Sequence, residues 1–352
     1  MKIILANPRG FCAGVYMAID VVDQLLDVVE GDTIYVYHAI VHNKHVVQRF
    51  EDRGVIFIES IDEVPEGSIV VFSAHGVSPE VRKEARARSL TAIDATCPLV
   101  TKVHAEAIRY AKRGWQIVLI GHRQHQEIIG TYGEAPDSIQ ILESVDGIPD
   151  LKIDDPSKVV YLTQTTLSLD DANQIINALK AAYPEVNSPP SEDVCYATTN
   201  RQWAVRQLAH ECDLVLVVGS QNSSNSLRLT EIAHATGTNA VLIDDVTELT
   251  SDMLKDVERV LVTAGASAPE DLVQSLVLHL VQNHHGEVEQ HDVFHESVDF
   301  GLPGTLKKFM RSRDVNPDGR RIMMDNIAST AAFLESHGID QQVVDLTISA
   351  AG

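Results

Sequence analysis

Aromatic residues supply only 5 % of this 352-residue chain, and no run of about eighteen apolar residues occurs, so a membrane-spanning helix is not expected. Basic residues are also few, 28 against 50 acidic ones, giving a formal net charge of −22. That balance argues against a non-specific nucleic-acid binder and requires any anionic ligand to be held by a local site. Only four cysteines are present, widely spaced and without a Cys-x-x-Cys pair, which excludes a disulfide scaffold and a conventional structural zinc site. Glycine-rich dinucleotide and P-loop motifs are missing, which disfavours a nicotinamide or ATP enzyme. No secretory h-region follows Met1; residues Met1 to Ala6 lead straight into Asn7-Pro8-Arg9-Gly10 as a strand and a turn. A cytoplasmic location, where thiols stay free for metal, is the expectation.

What is present is a repeat. Cys12, Cys97 and Cys195 lie 85 and 98 residues apart, each in a loop that opens a stretch of helical periodicity. Pro98, a residue favoured at the first helical position, places Cys97 at an N-cap, where the helix terminus is expected to favour the thiolate. Between these loops, apolar runs alternate with helical stretches: Ile34–Tyr37, Ile69–Phe72, Ile117–Ile120, Val159–Leu162, Leu214–Val218 and Val260–Val262. Short apolar runs followed by helices predict parallel sheets in α/β units, with ligands at the carboxyl ends of the strands. Length allows roughly two to three domains, and the repeat favours three.

The loops fall into three families. One holds Val41-His42-Asn43, Gly121 to Glu127 and Gly219 to Ser226; another holds Ser73 to Gly76, Thr163 to Thr166 and Ala264 to Pro269; the third holds the cysteines. All nine are polar and precede helices, so they can present nine anion-friendly helix ends to one cavity. Three thiolates from three such units would hold a metal centre with an open position, which suits chemistry.

The strings Asn7-Pro8-Arg9-Gly10-Phe11-Cys12-Ala13-Gly14-Val15, Asp94-Ala95-Thr96-Cys97-Pro98-Leu99-Val100 and Cys195-Tyr196-Ala197-Thr198-Thr199-Asn200-Arg201 resemble the 4-hydroxy-3-methylbut-2-enyl diphosphate reductase (LytB) family. The resemblance runs from Met1 to roughly Phe309. It implies a cloverleaf of three pseudo-symmetric α/β domains around one 4Fe-4S cluster held by Cys12, Cys97 and Cys195. The expected bounds are 13–97, 98–194, 195–285 with 1–12 returning to the third unit, and a C-terminal extension over 286–352.

The same resemblance implies that His42, His75, His125, Thr165, Ser223, Ser224, Asn225 and Ser267 surround an allylic diphosphate, with Thr165 in the hydrogen-bond network of Glu127, the proton source for the leaving hydroxyl. It implies a ferredoxin or flavodoxin as electron donor; a monomer or homodimer is the expected state. Dehydroxylation needs a Lewis acid on the oxygen and a nearby acid, and under this resemblance cluster iron with Glu127 would supply both. A hydro-lyase using the cluster only as Lewis acid, or an iron or redox sensor, are the alternatives for a diverged copy.

The departures from the family pattern are Tyr16-Met17 and Gln124-His125-Gln126-Glu127. Cys212 reads as a buried, inert thiol. His104, His210 and His234 read as surface or satisfied histidines, His122 as a turn-shaping one, and Glu51-Asp52 and Asp244-Asp245 as solvated acids. In the tail, Asn326 to Ser336 is expected as a short amphipathic packing helix.

Overall fold

In the computed structural model of the chain, residues 1–29, 31–320 and 329–347 are described. Three parallel sheets organise them. Strand β1 (Lys2–Asn7) opens the chain and α1 (Ala13–Val28) follows it. The first sheet contains β2 (Ile34–Tyr37), then, after α2 (Lys44–Glu51), β3 (Ile56–Ile58) and β4 (Ile69–Phe72), and, after α3 (Pro79–Ala87), β5 (Thr91–Asp94). The second begins after α4 (Pro98–Lys112) with β6 (Gln116–Ile120), α5 (Gln126–Glu134), β7 (Ile139–Leu142), β8 (Val159–Thr163) and α6 (Leu169–Ala182). The third follows α7 (Tyr196–Leu208) with β9 (Leu214–Val218), α8 (Ser224–Ala235), β10 (Asn239–Ile243), β11 (Arg259–Ala264), α9 (Glu270–His284) and β12 (Glu287–Asp292).

The strand orders repeat: β3-β2-β4-β5, then β7-β6-β8, then β10-β9-β11-β1. In the second sheet the fourth strand shrinks to an isolated bridge between Val160 and Asn187. In the third its place is taken by β1, which lies between β11 and β12 with Ile3 level with Val260 and Val288. The predicted apolar runs are these strands, most of them buried on both faces, as helix-covered parallel sheets require. All nine polar loops precede a helix, and the three cysteines are the N-cap residues of α1, α4 and α7.

The expected extension over 286–352 does not stay apart. Strand β12 completes the third sheet, and β13 (Val344–Thr347) pairs with β12 as the outermost strand. Helix α10 (Gly304–Ser312) instead crosses to the first unit, where Leu306 and Met310 are buried with α1 and the strands of that sheet. Its Thr305 hydroxyl accepts from the Asp94 amide at 3.0 Å. Apolar burial accounts for β12, through Val288, and for α10, whereas β13 is exposed along its length and is held by its ladder with β12. The expected tail helix is present as α11 (Thr330–Ser336), burying Leu334 against the third core, while 326–328 lie outside the described residues. No helix among the described residues is long and apolar enough to cross a membrane.

Candidate active site

All twelve residues singled out in the sequence line one cavity, at the meeting point of the nine loops. Cys12, Cys97 and Cys195 form one end. Gly14 explains how close they approach: a methyl group there would sit 2.6 Å from the Cys97 sulfur and 3.9 Å from the Cys12 sulfur. Each cysteine is only half-buried, because the cavity admits water, yet the thiols lie deep in the molecule.

Burial pushes the Cys97 thiol up to about 12 and the Cys195 thiol up to about 11, with Cys12 raising both further. This corrects the expectation that the helix ends favour thiolates. The helix amides do act that way, from Leu99 and Val100 on Cys97 and from Thr198 on Cys195, but burial outweighs them. A metal must therefore displace the protons. Among the described residues no three His, Cys, Asp or Glu side chains converge as the ligands of one ion would. The thiols border a space instead of meeting at a point. Three soft donors without a fourth suit an iron-sulfur cluster better than a single zinc ion.

The other end is built from imidazoles, hydroxyls and an amide. His42, before α2, stacks on His75, after β4, with centroids 4.0 Å apart, and His125, the N-cap of α5, meets both rings edge-on at 5.5 and 6.0 Å. Burial lowers His42 to about 4, His125 to about 3 and His75 well below the ordinary range, and repulsion among the imidazoles adds to it. All three are neutral at pH 7. Ser223 caps α8, and its hydroxyl lies 3.3 Å from that of Ser267, which donates to the His42 carbonyl at 3.0 Å. Ser224 donates to the Thr166 carbonyl. His42 Nε2 and both amide atoms of Asn225 are buried without a hydrogen-bond partner. Orphaned polar atoms of this kind are costly unless a ligand satisfies them.

Glu127 sits between the two ends, buried in the first turn of α5. Its Oε1 accepts from the Thr165 amide at 2.7 Å and its Oε2 from the Thr165 hydroxyl at 3.0 Å. Burial raises its carboxyl to about 7 against the pull of these two bonds, and Asp193 adds a smaller push.

Several lining residues carry weaker signals in the sequence or none. Thr198 places its hydroxyl 3.1 Å from the Cys195 sulfur, a contact legible in the i, i+3 spacing within the motif. Gly14 and Thr166 lie within or beside quoted motifs, whereas Phe300 reaches the cavity from the segment after β12 with no sequence signal. Tyr16 and Met17 do not line the cavity, so the departure from the family pattern there stays outside it. His104 is buried with Nδ1 2.8 Å from Glu134, and His122 lies 2.7 Å from Arg228, both away from the cavity wall. Cys212 is buried elsewhere, with its thiol raised to about 12 by burial. Asp244 and Asp245 are not solvated acids as expected: they pair with Lys44 and His45 of the first unit, each at 2.9 Å.

Comparison with known proteins agrees with this geometry. The family model described as LytB protein matches residues 3–281. A 4-hydroxy-3-methylbut-2-enyl diphosphate reductase of Rhodopirellula baltica is 54 % identical over 309 residues, 88 % of this chain and 97 % of that protein. One from Haemophilus influenzae is 49 % identical over 319 residues, covering 90 % of this chain and 100 % of that one. The solved structure of the E-1-hydroxy-2-methyl-but-2-enyl-4-diphosphate reductase from Plasmodium falciparum superposes with a TM-score of 0.85 at 41 % identity, over 89 % of this chain and 99 % of that one. A second, of (E)-4-hydroxy-3-methyl-but-2-enyl diphosphate reductase, gives 0.58 at 30 % identity over 80 % and 100 %. Motifs, three parallel sheets and near full-length identity coincide, and the chain belongs to the LytB family.

Proposed function

We propose that this chain is a reductase of (E)-4-hydroxy-3-methylbut-2-enyl diphosphate, removing the allylic hydroxyl as water to give isopentenyl and dimethylallyl diphosphate at the end of the methylerythritol phosphate route. The observation that carries the reading is the shared cavity: three thiols, a carboxyl of raised pKa, and buried unsatisfied donors at His42 and Asn225 line the same space.

Each residue class then has a task. Cys12, Cys97 and Cys195, capping the first helix of each unit, hold a 4Fe-4S cluster. When bound, that cluster supplies electrons one at a time and an iron lacking a protein ligand, a Lewis acid for the leaving oxygen. His42, His75, His125, Ser223, Ser224, Asn225 and Ser267 hold the diphosphate by many modest donors and helix ends, as a chain of net charge −22 must. Glu127 keeps a proton near neutral pH because burial disfavours its charge, and it delivers that proton to the departing hydroxyl. Thr165, donating twice, orients the carboxyl toward the cavity. The division into 13–97, 98–194, and 195–285 with 1–12 serves this arrangement, since each unit opens on a helix capped by one of the thiols and turns two polar loops toward the cavity. A ferredoxin or flavodoxin in the cytoplasm is the electron donor we assign.

The test is anaerobic reconstitution with iron and sulfide, followed by an assay with reduced donor and the hydroxymethylbutenyl diphosphate. Reductant-dependent formation of both products is expected. Turnover without reductant, or no turnover with the cluster formed, would overturn the proposal.

A further inference from the structure

Arg201, the last residue of the third cysteine motif, takes no part in the chemistry above, yet it is the largest fully buried side chain among the described residues, 1 % exposed. It lies on α7, whose N-cap is Cys195. A guanidinium has five N–H donors in a rigid plane, and each direction here is used. Nε and Nη2 donate to the Gly10 carbonyl at 3.2 and 2.8 Å. Nη1 donates to the Ala197 carbonyl at 2.9 Å and to Glu296 Oε1 at 3.1 Å, and Nη2 reaches Glu296 Oε2 at 3.4 Å.

These partners belong to three segments distant in sequence. Gly10 stands two residues before Cys12, Ala197 two residues after Cys195, and Glu296 four residues before the cavity-lining Phe300. A buried charge bonded this fully resists displacement, because losing any partner leaves an unsatisfied ion in the interior.

We infer that Arg201 is a positioning residue that locks the Cys12 loop to α7, setting the spacing of Cys12 and Cys195 before any metal arrives. The inference rests on the reading of the three thiols as cluster ligands. It places Arg201 behind the ligands, where a buried hydrogen-bonding group fixes the orientation of the side chains that bind metal. Cys97, carried by α4, lies outside this lock and serves as internal reference.

The test uses the metal-free full chain and an alkylating maleimide, with labelling of each cysteine followed by peptide mass spectrometry. In Arg201→Met, Cys12 and Cys195 should label several-fold faster relative to Cys97, with buried Cys212 still slow and circular dichroism unchanged. Reconstituted iron content should fall to less than half of wild type. Glu296→Gln, which keeps the Gly10 and Ala197 bonds, should show a smaller rise. The double variant Arg201→Met/Glu296→Met removes both charges, so it should recover thermal stability without recovering thiol protection. Unchanged relative labelling in Arg201→Met, or full protection in the double variant, would show that the pair only balances charge and overturn the inference. If Arg201→Met unfolds, with Cys212 labelling as fast as the rest, the double variant decides alone. Labelling needs no cluster, so failure of the wild-type chain to take up iron would count against the proposed function, while the labelling rates would still decide the role of Arg201.

Discussion

The two ends of the cavity are built from opposite chemistry and respond to burial in opposite directions. At the thiol end acids are pushed up, Cys97 to about 12 and Cys195 to about 11; at the imidazole end bases are pushed down, His42 to about 4 and His125 to about 3. These four groups are therefore neutral near pH 7. In the proposed reaction charge is brought by what binds: metal would take protons from the thiols, and diphosphate would meet neutral donors whose basicity it raises. Glu127 is raised to about 7, so the group assigned the proton transfer in the proposed reaction is poised at working pH.

The contrast between the two ends breaks most completely at the thiols. Replacing Cys12, Cys97 or Cys195 with Ser should abolish the iron-sulfur absorption of reconstituted protein and all reductant-dependent turnover. Survival of the cluster in any of the three, read by iron content and visible spectrum, would remove that thiol from the ligand set.

Next in size is Glu127→Gln, which should keep the cluster and substrate binding while lowering turnover by about a hundredfold to ten-thousandfold, the usual contribution of a positioned general acid. The sign of the pH dependence follows from the raised pKa. The protonated form prevails below about 7, so wild-type turnover should decline as pH rises through that value, and the decline should vanish in the variant. A wild-type profile flat from pH 6 to 8, measured anaerobically, would assign the proton elsewhere.

Smaller effects belong to the imidazole end. His42→Ala or Asn225→Ala each removes one donor to a charged oxygen, worth about 1.5 to 3 kcal/mol, or roughly ten- to a hundredfold in substrate binding. The metal-free proteins should still fold, because neither His42 Nε2 nor the Asn225 amide bonds to protein, with His42→Ala losing in addition its ring contacts to His75 and His125. Unchanged kinetics in both would move the diphosphate site. The smallest change is expected for Cys212→Ser: its thiol bonds only to the Leu208 carbonyl, so cluster content should match wild type with a stability loss of about 1 kcal/mol.

Much of this was legible from the chain alone. Strands β2, β4 and β9 span the same residues as their apolar runs; β4 and β9 are buried on both faces and have no polar positions to blur their ends. The protonation of the thiols was not legible. A helix N-terminus is visible in Cys97-Pro98, but the depth of the surrounding protein, which reverses its effect, is not. Asp244-Asp245 reads as surface for the same reason: its partners Lys44 and His45 lie about two hundred residues away, in another unit. The segment after β12 carries no marker that Phe300 will reach the cavity or that α10 will cross to the first unit.

Local spacing was enough to expect a metal centre beside an anion site, since one cysteine per repeat and polar loops before helices depend on neighbours within a turn or a loop, while the reaction itself came from the resemblance of the three cysteine motifs to a known family. Protonation state and ligand spacing were left to the tertiary structure. They depend on how far water is excluded and on which distant segments meet, as where Gly10, Ala197 and Glu296 converge on Arg201, and neither quantity exists until the three units close around one cavity.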